Sequence, residues 1–210
     1  SPQGLSNLAW AFARAGAGSA ELFRMIAECA SREPGAFGGE ELCNLLWALA
    51  TAGICDPSHL WALASEAAAR ARELGLHELS VTAWALARLR ADGGGLMPTI
   101  AGAASLHLAE GTPQNICNLA WALARSGCDH PALARDLVEE AVSKVRDFKA
   151  QELASMAWSV ATLSIRAENL LEAVAEEARC KAPSFGTGDL ASIAWAYARL
   201  AAHDGTLVAV

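Results

Sequence analysis

The chain has 210 residues, of which 53% are apolar and 19% charged, and its formal net charge is −7. This apolar content excludes an intrinsically disordered chain, and the length suits one or two globular domains or one repeat array. No apolar stretch reaches the roughly 18 residues that a membrane span needs. The acidic balance argues against a strongly basic nucleic-acid module. The six cysteines stand singly, without a C-x-x-C pair, which predicts free, buried thiols in a reducing compartment.

An internal repeat dominates the sequence. Six of the seven tryptophans are spaced 37 residues apart, without insertion or deletion: Trp10, Trp47, Trp84, Trp121, Trp158 and Trp195. A period kept this strictly predicts stacked copies of one structural unit, which bury a common core. Trp61 is out of register, and we expect it to be a large packing residue.

In chain order, the pattern predicts five full repeats and a truncated sixth: residues 1–39, 40–76, 77–113, 114–150, 151–187 and 188–210. Each repeat contains two helices. In the first helix, apolar residues five and two positions before the Trp and two after it, such as Leu42, Leu45 and Leu49, share one face. Acids mark the start of this helix, where the helix dipole favours them: Glu41, Glu78, Glu152 and Asp189. Glycines follow its end, as left-handed caps require: Gly16, Gly53 and Gly127.

The second helix of each repeat follows a short turn. Asp56 and Pro57 are typical of an N-cap and a first helical turn. A loop with an apolar anchor ten residues before the next Trp then leads onward, and the anchors are Phe37, Leu74, Phe148 and Phe185. The third repeat is the weakest, because the run 92–95 and Gly102 lower its helix propensity.

These patterns predict an all-α fold, an α-α superhelix (solenoid) of helical hairpins that forms a single array over residues 1–210. Neither end shows a polar capping repeat. We therefore expect the array to be an internal segment of a longer protein.

Two stretches, 114–127 and 148–158, resemble the octotricopeptide and heptatricopeptide repeat family, whose signature is a Phe, a Pro-Gln pair and Leu-Ala-Asn-x-Leu-Trp-Ala-Leu-Ala-Lys-Leu-Gly. The 37-residue period is that of the heptatricopeptide subset, and Arg or Thr replaces the usual Lys four residues after the Trp. The chain is also similar to the helical repeats of FAST-kinase-like proteins and of RNA-editing substrate-binding complex subunits. The resemblance implies an α-solenoid that binds RNA in a mitochondrion or chloroplast, in mRNA processing, stability, translation or editing, or in ribosomal RNA assembly.

One face of the first helix carries the candidate ligand contacts. The positions three before and four after each Trp lie on the same side of the helix as the Trp. In such a row, amides bond base edges and Arg stacks on bases or contacts phosphate. The candidate RNA-binding residues are Asn7, Asn44, Asn118, Ser155, Ser192, Arg14, Arg88, Arg125, Arg199, Thr51 and Thr162. Five basic and five acidic residues balance in the first helices, so the net negative charge lies in the second helices and loops.

Structural alternatives stand beside each of these assignments. The six repeated tryptophans either pack between neighbouring repeats or stack on bases. The asparagines three residues before the Trp either hydrogen-bond to backbone groups of the neighbouring repeat or contact a ligand. The arginines four residues after the Trp either contact a ligand or only stabilise the helix, because they lie in its last turn, where the helix dipole favours a cation. Cys128, Asp129 and His130 form a plain turn rather than a metal site.

No motif indicates catalysis. The five histidines follow no metal-ligand spacing, and neither a P-loop nor a nucleophile elbow is present. We therefore expect a protein that is not an enzyme and has no cofactor and no metal. Two hypotheses remain: a binder of single-stranded organellar RNA, or a protein-binding scaffold or structural subunit of a large organellar complex. The two roles are compatible within a ribonucleoprotein.

Overall fold

The computed structural model describes residues 1–54, 56–90 and 95–204, with side chains described as far as residue 201. Over these residues the chain forms eleven α-helices and four short 3₁₀ helices, and no strand. The all-α prediction is therefore confirmed. Most of the predicted glycine-rich break at 92–95 and the last residues of the sixth repeat, 205–210, lie outside the described residues.

The chain divides into two compact units, and the first covers Ser1–His107. Its helices are α1 (Pro2–Arg14), α2 (Ala20–Ser31), α3 (Gly39–Ala52), α4 (Pro57–Ala69), α5 (Leu76–Leu89) and α6 (Leu96–Ala104). Short 3₁₀ helices lie at Pro34–Ala36 and, after α6, at Ser105–Glu110. Helices α1, α3 and α5 pack side by side and carry the repeated Trp, while α2, α4 and α6 form a second layer.

The second unit covers Leu108–Val210. Its helices are α7 (Pro113–Ser126), α8 (Pro131–Lys144), α9 (Ala150–Thr162), α10 (Glu168–Cys180) and α11 (Thr187–Asp204), with 3₁₀ helices at Val145–Asp147 and Ala182–Ser184. Helices α7, α9 and α11 pack side by side, and α8 packs on α10. Each unit is thus a stack of the predicted helical hairpins, which is the construction of an α-α solenoid.

The core is formed by the predicted apolar stripe. Leu42, Leu45 and Leu49 of α3 are at most 1% exposed. The loop anchors Phe37 and Phe148 are also buried. Small side chains fill the position four residues before the Trp, and those inside the stacks are buried: Ser6, Cys43, Ser80, Cys117 and Ala154. Only a small residue fits there because adjacent odd-numbered helices approach closely at this point.

The predicted helix ends are confirmed by direct contacts. The carboxylates of Glu41, Glu152 and Asp189 accept hydrogen bonds from the backbone N–H three residues earlier, at 2.6, 2.8 and 3.1 Å. These acids therefore cap the odd-numbered helices as well as meeting the helix dipole. At the other end, Gly53 and Gly127 have φ of 67° and 69°, the left-handed conformation expected of a C-cap.

Two expectations differ from the structure. Trp61 is 49% exposed on α4, so it is not a core residue. Cys29 and Cys180 are exposed, so the prediction of buried thiols is wrong for them, whereas Cys43 and Cys117 are buried and free as expected. Within the described residues, α6 is the shortest of the α-helices, with 9 residues, which agrees with the low helix propensity predicted for the third repeat.

Candidate nucleic-acid interface

The repeated tryptophans form a row along the odd-numbered helices of each unit, which we call the Trp row. All six side chains are partly exposed, from half-buried to 42% exposed for Trp195. Ring centroids are 6.2 Å apart for Trp10 and Trp47, 6.4 Å for Trp121 and Trp158, and 6.3 Å for Trp158 and Trp195. These distances are typical of favourable aromatic pairs. The Trp row therefore packs between repeats and also contributes to the surface.

Arginines four residues after the Trp lie on this aromatic surface. The guanidinium carbons of Arg14 and Arg88 are each 5.3 Å from the ring centroid of their own repeat's Trp, and that of Arg199 is 5.4 Å away. A guanidinium within about 6 Å of a ring face makes a cation–π contact. The rings thus hold these arginines in place, while all three side chains remain exposed.

Two of the arginines also join neighbouring repeats. Arg88 Nε donates a hydrogen bond to the carbonyl oxygen of Ala50 at 2.9 Å, and Arg199 Nε donates to that of Ala161 at 3.0 Å. Both acceptors lie in the last turn of the preceding odd-numbered helix, and each also accepts a backbone hydrogen bond at the helix end, from Gly53 and Ser164 respectively. One nitrogen of each guanidinium is therefore used for structure, and the exposed end can contact a ligand.

The threonines in the same row have a different environment. Thr51 and Thr162 stand one repeat before Arg88 and Arg199, and both are half-buried. Their hydroxyl oxygens are buried and lack a hydrogen-bond partner. The exposed part of the face therefore does not include these two hydroxyls.

The amides three residues before the Trp are available for hydrogen bonds. Asn7 is exposed, and Asn44 and Asn118 are half-buried. Their side chains make no hydrogen bond to any residue in the described part of the chain, so the alternative of a backbone contact across the stack is not observed. A free amide offers two donors and one acceptor oxygen.

The rest of this row is less uniform. Ser155 is half-buried, and the hydroxyl of Ser192 donates to the carbonyl oxygen of Gly188 in its own helix at 2.9 Å. Val81 is buried and interrupts the polar row in the third repeat. The amide positions in α1, α3 and α7 are therefore the strongest candidates for base contacts.

Charge is distributed unevenly along the odd-numbered helices. Most of their acids are engaged in N-caps, as described above for Glu41, Glu152 and Asp189. Within six residues after each Trp, the charged residues are all basic: Arg14, Arg88, Arg90, Arg125 and Arg199. In α1, α5 and α11 a basic side chain therefore lies beside the aromatic surface, α7 has Arg125 at the same position, and the segments of α3 and α9 after the Trp are uncharged.

A further set of cations escaped the sequence analysis. Arg70, Lys144 and Lys181 lie fourteen residues before a Trp, and each donates to a carbonyl in the preceding loop, at Phe37 (2.7 Å), Gly111 (2.9 Å) and Phe148 (2.9 Å) respectively. Each also pairs with a Glu four residues earlier: Glu66, Glu140 and Glu177. Their spacing in multiples of 37 was the signal that could have revealed them. They hold adjacent repeats together.

Among the described residues, no cluster of three His, Cys, Asp or Glu side chains could hold a metal ion. Among the helices that the structure describes, none is both long and apolar enough to cross a membrane.

Stacked hairpins that carry an exposed row of Trp, Arg and unpaired amides define a helical-repeat protein with a periodic aromatic and basic surface. The family model of the RNA-editing substrate-binding complex 6 protein matches residues 1–205, so the chain belongs to this family. No curated protein matches the sequence significantly.

Proposed function

We propose that the chain binds single-stranded RNA along the Trp row, as a non-catalytic subunit of an RNA-editing substrate-binding complex. The observation that carries this proposal is the partly exposed ring that recurs in all six repeats, with a guanidinium on it in three of them (Arg14, Arg88 and Arg199) and an amide without a protein partner in three (Asn7, Asn44 and Asn118). Proteins that read single strands combine the same three groups, because unstacked bases offer ring faces, hydrogen-bonding edges and nearby phosphates.

Each group has a distinct role in this proposal. Base stacking on an aromatic side chain contributes about 1–3 kcal/mol per base, and the exposed parts of the Trp rings and the guanidiniums supply that surface. The amides of Asn44 and Asn118 hydrogen-bond base edges. The outer nitrogens of the arginines contact phosphate, which gives affinity that depends on salt.

The family supports the setting of the proposed function. Its name refers to an RNA-editing substrate-binding complex, which favours RNA editing over the other processes considered and the mitochondrion over the chloroplast. We also propose that these repeats and the octotricopeptide and heptatricopeptide repeats share one hairpin design, because the 37-residue period and the Asn-x-x-Trp segment are common to both.

The test compares two variants with the same change in net charge. The first replaces Arg14, Arg88, Arg125 and Arg199 by Ala. The second replaces four second-helix arginines whose side chains are 57–72% exposed: Arg24, Arg32, Arg135 and Arg179. Fluorescence polarisation with short labelled single-stranded RNAs should show about a tenfold or greater loss of affinity for the first variant and a much smaller loss for the second. Equal losses would show that only net charge matters and would contradict the proposed surface.

The amide row is tested separately. Asn44→Ala together with Asn118→Ala should reduce discrimination among RNA sequences by about 1–3 kcal/mol per lost base contact while the salt dependence stays the same. Unchanged discrimination would assign sequence recognition to other residues and leave the Trp row with a sequence-independent role.

A protein-binding scaffold is the second candidate function. It is favoured by the family's association with a complex and by the acidic character of the second-helix layer. A stoichiometric protein partner that stays bound after nuclease treatment, combined with no measurable affinity for RNA, would favour this role over RNA binding.

A further inference from the structure

The third repeat has a second-helix segment without charge. Residues 95–109 contain no Asp, Glu, Lys or Arg, whereas α2, α4, α8 and α10 all carry charged side chains. The difference falls at particular repeat positions. Ala103 stands where three other repeats have Glu66, Glu140 and Glu177, and Leu106 stands where the next repeat has Ser143.

Leu106 makes this segment conspicuously apolar at the surface. Its side chain is 73% exposed, more than any other large apolar residue in the described part of the chain. An isolated exposed Leu is ordinary, but this one borders a groove in the surface. The groove encloses about 670 Å³ and lies between the end of α4 and the segment formed by α6 and the 3₁₀ helix after it.

Five of the eleven residues that line the groove are Ala or Gly. They are Ala68, Ala69, Ala71, Gly102 and Ala103, with Pro98 and Thr99 beside them. A Cβ added at Gly102 would meet no atom within 4 Å, so the groove is open above this position. Residues 98–106 extend along roughly two helical turns. A lining of small residues over this length allows a helical backbone to approach closely, which suits the helix-in-groove mode of recognition.

Three charged residues line the groove: Arg70, Arg72 and Glu73. Arg70 is engaged by the Phe37 carbonyl, by Glu66 and, at 3.7 Å, by Glu73. Arg72 is exposed and forms no ion pair with a described residue. The groove therefore presents a free guanidinium beside an apolar surface, in a chain whose net charge is −7. This arrangement is complementary to a carboxylate that is flanked by apolar side chains.

We propose that this groove is a docking surface for an amphipathic helix of a partner protein. The apolar side of the partner helix packs on Leu106 and on the small residues of the groove, and an Asp or Glu on that helix pairs with Arg72. The RNA surface lies on the odd-numbered helices, so this docking function is independent of the function proposed above.

The repeat supplies a matched control for a cross-linking test. A photoreactive amino acid is placed at position 106 of the full-length protein in its native complex, and in a second variant at position 143, the equivalent position one repeat later. We expect position 106 to form a stoichiometric cross-link that maps to one helical segment with apolar residues at helical spacing and a nearby carboxylate. Cross-links that are equal at the two positions, or that join position 106 to RNA, to lipid or to a second copy of this chain, would overturn the proposal.

Charge exchange then tests the contact itself. Arg72→Glu should weaken binding of a synthetic peptide of the mapped segment about tenfold, and replacing the peptide's carboxylate by Lys should restore it. Leu106→Ser, which introduces the residue found at position 143, should weaken binding without changing the melting temperature, because Leu106 is exposed. Retained affinity in both single variants, or failure of the charge exchange, would overturn the proposal. RNA affinity should be unchanged in Leu106→Ser and should fall only slightly in Arg72→Glu, as expected for a change of charge away from the RNA surface.

Discussion

The side chain of Arg88 links two repeats, because its Nε donates to the carbonyl oxygen of Ala50 while its guanidinium lies 5.3 Å from the ring centroid of Trp84. Arg88, which belongs to the proposed RNA surface, therefore also stabilises the contact between two repeats. The loss of such an arginine affects folding and binding together, and the two effects have to be measured separately.

Arg88→Ala should lower the free energy of unfolding by about 1–2 kcal/mol, because it removes one hydrogen bond and one partly exposed cation–π contact. Arg14→Ala removes only a ring contact among the described residues, so its cost should be smaller, about 0.5–1 kcal/mol. Urea unfolding followed by circular dichroism measures both. A larger loss for Arg14→Ala would contradict the role given to the Ala50 hydrogen bond.

Lys181→Met should destabilise the second unit by about 2 kcal/mol. Its ammonium donates to the carbonyl oxygens of Arg146 and Phe148 and pairs with Glu177, and hydrogen bonds from charged donors are stronger than neutral ones. Arg179→Met is the control, because that side chain is 72% exposed and surface ion pairs contribute little. Chemical unfolding should separate the two variants clearly, and similar midpoints would show that Lys181 does not hold the repeats together.

The residue after the first helix of a repeat adopts a left-handed conformation, so replacing Gly there should lower stability, whereas introducing Gly should raise it. Gly53→Ala should cost about 1 kcal/mol, because φ is 67° there and an added Cβ would meet no other atom. Ser164 occupies the equivalent position with φ of 55°, so Ser164→Gly should increase stability by about 0.5–1 kcal/mol. Thermal unfolding of both variants checks the sign of each change. Destabilisation by Ser164→Gly would contradict this account.

Cysteine reactivity should divide the described thiols into two groups. Burial raises the pKa of Cys43 to about 12 and that of Cys117 well above its ordinary value. Both thiols therefore stay protonated near neutral pH and should resist alkylation in the folded protein, because the thiolate is the reactive form. Cys29 and Cys180 are exposed and should be modified quickly. Mass spectrometry resolves each site, and rapid labelling of Cys43 in folded protein would contradict this assignment.

The raised pKa of Cys43 also sets the direction of an alkaline effect. From about pH 9 towards pH 12 the unfolded chain loses the thiol proton that the folded chain keeps, so stability falls as pH rises through this interval. Cys43→Ala, which introduces the residue found at the equivalent position 154, should reduce this dependence. Urea midpoints at increasing pH measure it, and an unchanged slope would assign the alkaline loss to other groups.

The fold was predictable because the period and the helix signals agree. The stripe of Leu42, Leu45 and Leu49, the caps at Glu41 and Gly53 and the 37-residue spacing all point to one hairpin, so local and global preferences reinforce each other. The exposure of Trp61 and Cys29 was not predictable in the same way. Both lie on second helices, where burial depends on how far the neighbouring hairpin extends rather than on residue type.

The sequence predicts which residues share the face of the candidate site, but it does not predict which of their side chains are available to a ligand. Sequence spacing places Asn44 and Trp47 on one face, but it does not show whether an amide finds a backbone partner or whether a ring is sealed by its neighbour. Both questions depend on distances between repeats. For the same reason the Thr51 hydroxyl, a candidate by position, is buried by packing that the sequence does not reveal.

The contacts of Arg70, Lys144 and Lys181 each cross a single joint between adjacent hairpins, and so do the hydrogen bonds of Arg88 and Arg199, which span 38 positions of the chain. Each such contact involves adjacent hairpins only, so it does not depend on the number of hairpins that precede it. In-frame duplication or loss of one 37-residue module would leave the remaining joints intact. Duplication or deletion of one module in the gene would therefore lengthen or shorten the row of Trp-bearing helices without disturbing the joints that remain.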